Sequence, residues 1–229
     1  IALAIILTAS CKKDHKTTPT PKPDEVVYND FTYHTVKIGE QTWMVENLRT
    51  TTYRDGTPIN PDANVSASDA DWSAAGNAKI GAWCKYTGVG ADDIYGLLYN
   101  GYAANNHIKA NTMEKSLAPK GWHVATKKDW DNLISYLGAE AGNQLKESGS
   151  VHWKNDNNNV NGGNNKSGFK GLPGGLRYDT GEFKTNRTTG FWWAAELGNL
   201  YSLSTGSTTV MIGGGIDPYR GHSVRCIMD

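Results

Sequence analysis

The sequence predicts an α+β domain on three observations. Short apolar/polar alternations recur along the chain, only one segment carries strong helical spacing, and 26 of the 229 residues are glycine. Alternation at period two builds strands and spacing at i, i+3, i+4, i+7 builds a helix, while glycine serves the turns that join many short elements. Eight Trp and eleven Tyr against four Phe add amphipathic aromatics, which suit both a small β-rich core and ligand-stacking surfaces.

The elements follow in chain order. Ile1 to Leu7 is an unbroken apolar run, followed by the small residues Thr8, Ala9 and Ser10 and then Cys11. The run is shorter than the roughly 20 residues that span a bilayer but suits the h-region of a signal peptide. No Met or basic stretch precedes it, so it reads as the tail of a signal, with residues 1–10 its remnant. Cys11 then becomes the lipidated first residue of the mature protein. Lys12, Lys13 and Asp14 resemble the charged signals that send some bacterial lipoproteins to the outer leaflet. Residues 11–27 form a tether, because Pro19, Pro21 and Pro23 among Thr and Lys keep the chain extended and solvated.

The folded domain runs from 28 to 229. Val36 and Ile38, then Trp43, Val45 and Leu48, flank Gly39-Glu40-Gln41 and read as two strands around a tight turn. Asp55 to Asn77 has little periodicity and reads as loop, whereas Ala82 to Tyr86 alternates like a strand. Thr126 to Asp129 is a capping-box-like start, Trp130, Leu133, Ile134 and Leu137 form the buried stripe, and Gly138 is the stop. A weaker helix is expected over Ala139–Glu147. Asn155 to Asn165 holds seven Asn among eleven residues and reads as an exposed loop. Further short strands are expected around Leu176, Phe191–Ala195, Leu200–Leu203, Thr209–Ile212 and His222–Met228.

Composition narrows the function classes. Lys plus Arg and Asp plus Glu both number 23, so nothing suggests an electrostatic nucleic-acid binder. The six His are scattered without paired ligand spacing, and no Cys-x-x-Cys occurs. Asn157, Asn159, Asn161 and Gly162 occupy positions 1, 3, 5 and 6 of an EF-hand-like loop, but Gly168 stands at position 12 where a Glu is needed. A solvated loop is the simpler reading, and no metal or cofactor is expected. Glu46, Glu182, Glu196, Asp179 and Asp217 offer carboxylates without motif support for glycoside hydrolysis.

In an exported protein, Cys84 and Cys226 remain as a pair once Cys11 carries lipid. A Cys84–Cys226 disulfide would close a loop of over about 100 residues, for which chain entropy gives roughly 4–5 kcal/mol. Two buried free thiols are the alternative.

Motifs along nearly the whole domain then resemble one family. Val36 to Leu48, Tyr95-Gly96-Leu97-Leu98-Tyr99-Asn100, Ala118 to Thr126 with the Asp129-Trp130 helix, Gly190 to Ala195, and Ser223-Val224-Arg225-Cys226 are similar, in order, to the Fibrobacter succinogenes major paralogous domain. The resemblance implies a C-type lectin-like fold related to formylglycine-generating enzymes: small twisted antiparallel sheets, one or two helices and long display loops. The enzyme branch needs a reactive cysteine pair, and the strand-like flanks of Cys84 and Cys226 argue against that activity.

Adjacent strand residues point to opposite faces, so Trp192 and Trp193 divide. By resemblance Trp193 is core, leaving Trp192 as an exposed platform, with Arg177, Tyr178, Tyr219 and Arg220 as candidate partners for a ligand. The expectation is a noncatalytic lipoprotein at the outer membrane surface that binds a glycan or a cell-surface protein. The alternative is a structural component of a cell-envelope complex, and an enzyme is the weakest reading.

Overall fold

The computed structural model describes residues 22, 24–60, 67–87, 93–105, 115–154 and 162–229. The signal-like run, Cys11, most of the tether and Asn155–Asn161 lie outside these residues.

Three antiparallel sheets and a few short helices make up the described architecture. The first sheet begins with β1 (Glu25–Tyr28), β2 (Phe31–Ile38) and β3 (Gln41–Met44), meandering through tight turns. Gly39 takes a φ of 60° in the β2–β3 turn, a left-handed conformation that glycine adopts without a Cβ penalty. β6 (Trp122–Val124) and β13 (Cys226–Met228) complete the order β1-β2-β3-β13-β6. The second sheet has β9 (Thr189–Trp193), β10 (Leu200–Ser204) and β11 (Met211–Gly213), with β10 in the middle. The third is built from β4 (Trp83–Cys84), β5 (Leu98–Asn100), β12 (Gly221–His222), β7 (Leu176–Arg177) and β8 (Phe183–Lys184), in that spatial order.

The segment expected as one strand over His222–Met228 is divided between two sheets. It leaves the third sheet after β12 and enters the first as β13. In between, Trp193 N–H donates to the Ser223 carbonyl, and Ser223 N–H donates to the Phe191 carbonyl, at 3.0 Å each. Gly221 through Ile227 are all buried, so this stretch is the seam along which the three sheets meet.

The helix expected from its spacing is α3 (Lys127–Leu137), numbered after α1 (Asp69–Ala78) and α2 (Gly101–Ala104). Thr126 caps it in a full capping box with Asp129, and Gly138 ends it at φ 72°. Trp130 and Leu133 are fully buried from this helix. The expected second helix is a 3-10 turn over Gly138–Glu140 followed by α4 (Ala141–Leu145).

The expected loop from Asp55 to Asn77 contains a difference: α1 forms there. Its Ser68–Asp71 capping box is present, but only Trp72, Ala75 and Gly76 are buried. The helix lacks the apolar stripe that reveals α3, so it depends on its cap and on contacts made across the fold.

Two main cores lie on opposite sides of β9. Trp193 joins Tyr99, Val124 and Cys226 on one side, while Trp192 joins Trp43, Trp130, Phe169 and Tyr201 on the other. Trp130 stacks on Tyr201 with centroids 4.9 Å apart and planes 11° off parallel. A smaller cluster under α1 holds Trp72, Cys84 and Leu98.

Candidate functional site

The alternation over Trp192 and Trp193 is present, but its consequence differs from the expectation. Trp192 is 0 % exposed, and its indole Nε1–H donates to Asn47 Oδ1 at 2.8 Å. The ligand-platform reading of Trp192 is therefore corrected: it is a core residue. Trp193, also buried, donates from Nε1 to the Tyr99 carbonyl at 2.8 Å. At this pair β9 is covered on both faces, which one strand's alternation does not reveal.

Arg177 is corrected in the same way, being 1 % exposed. Its Nη1 donates to the Ala67 carbonyl at 2.8 Å, its Nη2 pairs with Asp69, and its Nε reaches the Gly181 carbonyl at 3.3 Å. The guanidinium lies between the rings of Trp72, 4.7 Å away, and Phe183, 5.1 Å away. These contacts use the fork to fasten α1 to the β7–β8 hairpin.

The disulfide is corrected too. Cys84 on β4 and Cys226 on β13 are free, buried thiols belonging to different core clusters. Burial pushes the Cys84 thiol up to about 12, against the opposing pull of Arg177, and raises Cys226 as well. Both are protonated at neutral pH, a poor state for nucleophilic chemistry.

The remaining three candidates converge. Arg220 sits with its guanidinium carbon 5.1 Å from the Tyr178 ring centre, within cation–π range. Tyr219 lies 5.9 Å from Tyr102 of α2, centroid to centroid. The 217–220 turn that carries them is fixed locally, since Tyr219 N–H donates to Asp217 Oδ1 at 2.9 Å and Gly101 N–H donates to the Pro218 carbonyl at 2.8 Å. Trp72 Nε1–H donates to the Tyr219 carbonyl at 2.8 Å, tying the turn to α1.

Gly76 makes this docking possible, because a Cβ there would stand 3.0 Å from Cγ of the Tyr219 ring. Tyr178, Tyr219 and Arg220 are each partly exposed. The Arg220 guanidinium has no hydrogen-bond or ion-pair partner among the described residues. The result is a face of two partly exposed tyrosines and one available guanidinium, backed by the buried Tyr102 and seated on a buried Arg177 foundation. Tyr102 and Gly76 were missed by the sequence reading, since their roles arise only when α1 and α2 meet the 217–220 turn.

The carboxylates stand in separate local contacts. Glu46 accepts from His34 N–H and faces His34 Nδ1, both at 2.8 Å, and Glu196 accepts from Lys127 N–H at the start of α3 at 2.7 Å. Glu182 pairs with Lys184 at 3.1 Å. Among the described residues no group of three His, Cys, Asp or Glu side chains gathers into a metal site. No described helix is long and apolar enough to cross a membrane.

The Fibrobacter succinogenes major domain model matches residues 36–228. The chain belongs to that family. No curated protein and no solved structure matches it. The family motifs coincide with the packed centre of the domain: Asn47 Nδ2–H donates to the Tyr95 carbonyl at 2.9 Å, and Arg225 Nε–H donates to Asn47 Oδ1 at 3.0 Å. Arg225 also donates to the carbonyls of Met44 and Phe169, at 3.0 and 2.8 Å. Three separated motifs are thus joined through one buried amide and one buried guanidinium, a network that specifies a unique core when fully satisfied.

Proposed function

We propose that this member of the family is a surface-anchored bacterial lipoprotein whose domain binds glycans through its tyrosine-rich face. The observation that carries the reading is the convergence of Tyr178, Tyr219 and Arg220 on one partly exposed surface, with the buried Tyr102 packed behind Tyr219. Aromatic faces stack on the CH surfaces of sugar rings, and an available guanidinium hydrogen-bonds their oxygens. The small antiparallel sheets and flanking helices support a C-type lectin-like fold as part of this proposal.

Binding of the protein to a glycan array and to mucin, with calcium and with chelator, tests the reading. Tyr219→Ala is expected to weaken binding by about tenfold or more, as loss of a central aromatic anchor does. Tyr178→Ala, which leaves the Gly76 contact intact, is expected to weaken it in parallel. Unchanged binding in both variants, or no glycan bound by the parent, would sink the glycan reading.

The anchor rests on the apolar run Ile1–Leu7, the small residues Thr8–Ser10 and Cys11. Two or more acyl chains make anchoring stable. Cys11→Ser is expected to move the protein from the detergent phase to the aqueous phase on phase partitioning of expressing cells; retention in the detergent phase would refute lipidation at Cys11.

An assembly role is the second reading, favoured by β11. Met211 and Ile212 are 68 % and 57 % exposed on this edge strand, which among the described residues pairs only with β10. Exposed apolar edge strands are sites at which another chain can add.

A further inference from the structure

A cleft on another part of the domain carries donors that the protein itself leaves unused. Its first lobe, about 210 Å³, is lined by Arg49, Thr51, Trp83, Lys85, Gly96 and Leu97. A second lobe of about 230 Å³ shares Arg49 and adds Phe31, Glu46, Ile94 and Lys170 among its walls. Arg49 therefore stands between two small cavities, which together reach the size range of small-molecule sites.

The motif residues build this cleft. Leu97 N–H donates to the Leu48 carbonyl at 3.0 Å, drawing the 95–97 segment against the chain just before Arg49. Gly96 has φ 77°, and a Cβ there would stand 2.8 Å from Asn47 Cβ and 2.9 Å from the Leu48 carbonyl oxygen. Only glycine admits both the left-handed backbone and this close approach.

Two donors in the cleft wall are buried and unpartnered. Trp83 is 4 % exposed, yet its indole Nε1–H has no acceptor among the described residues. Arg49 Nε is likewise buried without an acceptor, and the guanidinium rests 4.3 Å above the Phe31 ring without an ion pair among the described residues. Leaving a buried donor unmade is costly, so two such donors lining one cleft call for an acceptor from outside. Among the described residues, none of those lining the first lobe is an acid.

We propose that this cleft binds the carboxylate of an acidic sugar residue, with Arg49 and the Trp83 indole donating to its two oxygens. A planar carboxylate matches the guanidinium fork. Leu97, Phe31 and Ile94 offer apolar wall to a pyranose ring, and Glu46 in the second lobe accepts from neutral hydroxyls while disfavouring a second anion. The assignment rests on the glycan-binding reading for its ligand class, but the cleft shares no residue with the tyrosine face.

Titration of 15N-labelled protein with glucuronate, glucose, acetate and sulfate, following the Trp83 indole N–H resonance, tests it. The expected result is a saturable shift with glucuronate, at least tenfold weaker with acetate, sulfate or glucose. Arg49→Gln is expected to weaken glucuronate binding about tenfold or more while leaving the remaining amide spectrum in place. Trp83→Phe, which removes the N–H and keeps an aromatic ring, serves as the second variant through chemical-shift changes at the Gly96 and Leu97 amides. Equal binding of acetate or sulfate would overturn the sugar assignment, equal binding of glucose would overturn the carboxylate, and no shift with any of them would overturn the site. Loss of array binding through Tyr178 or Tyr219 leaves this titration unaffected, so the two readings fail separately.

Discussion

Trp192→Ala is expected to lower the unfolding free energy by about 3–5 kcal/mol, the range for truncating a large buried aromatic. The side chain is fully buried, 6.2 Å from Trp130 and 6.1 Å from Phe169 between ring centres. Its ring also occupies space that only glycine leaves open, since a Cβ on Gly190 would stand 2.5 Å from Trp192 Cη2. Truncation leaves a cavity in an aromatic cluster that relaxes poorly, because its members pack on one another. Asn47 Oδ1 loses one donor but keeps Arg225 Nε. Trp192→Phe, which restores most of the volume, is therefore expected to cost less, about 1–2 kcal/mol. Urea unfolding followed by far-UV circular dichroism measures both. A Trp192→Ala protein as stable as the parent, but defective in ligand binding, would restore the surface-platform reading.

His222 gives the second large effect, in the pH dependence of stability. The imidazole is fully buried, with both ring nitrogens unpartnered among the described residues, between Trp193 at 4.4 Å and Phe191 at 5.4 Å. Burial first, and then the charge of Arg220, push it down to about 3 from an ordinary 6.5. Because the folded value lies below the unfolded one, the unfolded chain takes up the proton first as pH falls. Stability is full above 6.5 and is lost progressively as the pH drops toward 3. The slope is about 1.4 kcal/mol per pH unit, which is roughly 2 kcal/mol between pH 6.5 and pH 5.

Asp129, which burial pushes up but the hydrogen bonds from His123 and Thr126 together hold low, loses its stabilising charge in the same direction as the medium is acidified. His123, raised by Asp129 and Asp229, acts in the opposite direction as pH rises. The informative quantity is thus the difference between the parent and His222→Phe, which cannot protonate. The stability difference between the two is expected to change by roughly 2 kcal/mol over that interval, with the variant losing less. Parallel pH profiles would show that His222 is protonated or hydrated in the folded protein.

The strongest sequence signals were those in which local chemistry and tertiary structure demand the same thing. The Thr126–Asp129 cap, the Trp130/Leu133 stripe and the Gly138 stop all survive in α3. The β2–β3 turn at Gly39 does so as well, because a left-handed glycine fixes a hairpin without distant help. α1 was not legible, since its small buried face of Trp72, Ala75 and Gly76 carries little periodic signal. Its role depends on Tyr219, nearly 150 residues away, lying against Gly76 and accepting at its carbonyl from Trp72.

By itself the sequence determined the family through ordered motifs and the α+β class, and it named Tyr178, Tyr219 and Arg220 as candidates, but their meeting on one face is a result of packing. The three-dimensional packing decided everything that depends on what covers a surface. It buried Trp192 on a strand whose alternation left one face open, consumed the Arg177 fork in contacts between α1 and the β7–β8 hairpin, and kept Cys84 and Cys226 in different cores. Strand periodicity states only that two side chains point apart; whether each meets solvent or a second layer is set by elements far away in the chain. Donor satisfaction is likewise a property of the assembled fold, which is why Arg49 and Trp83 stand out only once their surroundings are in place.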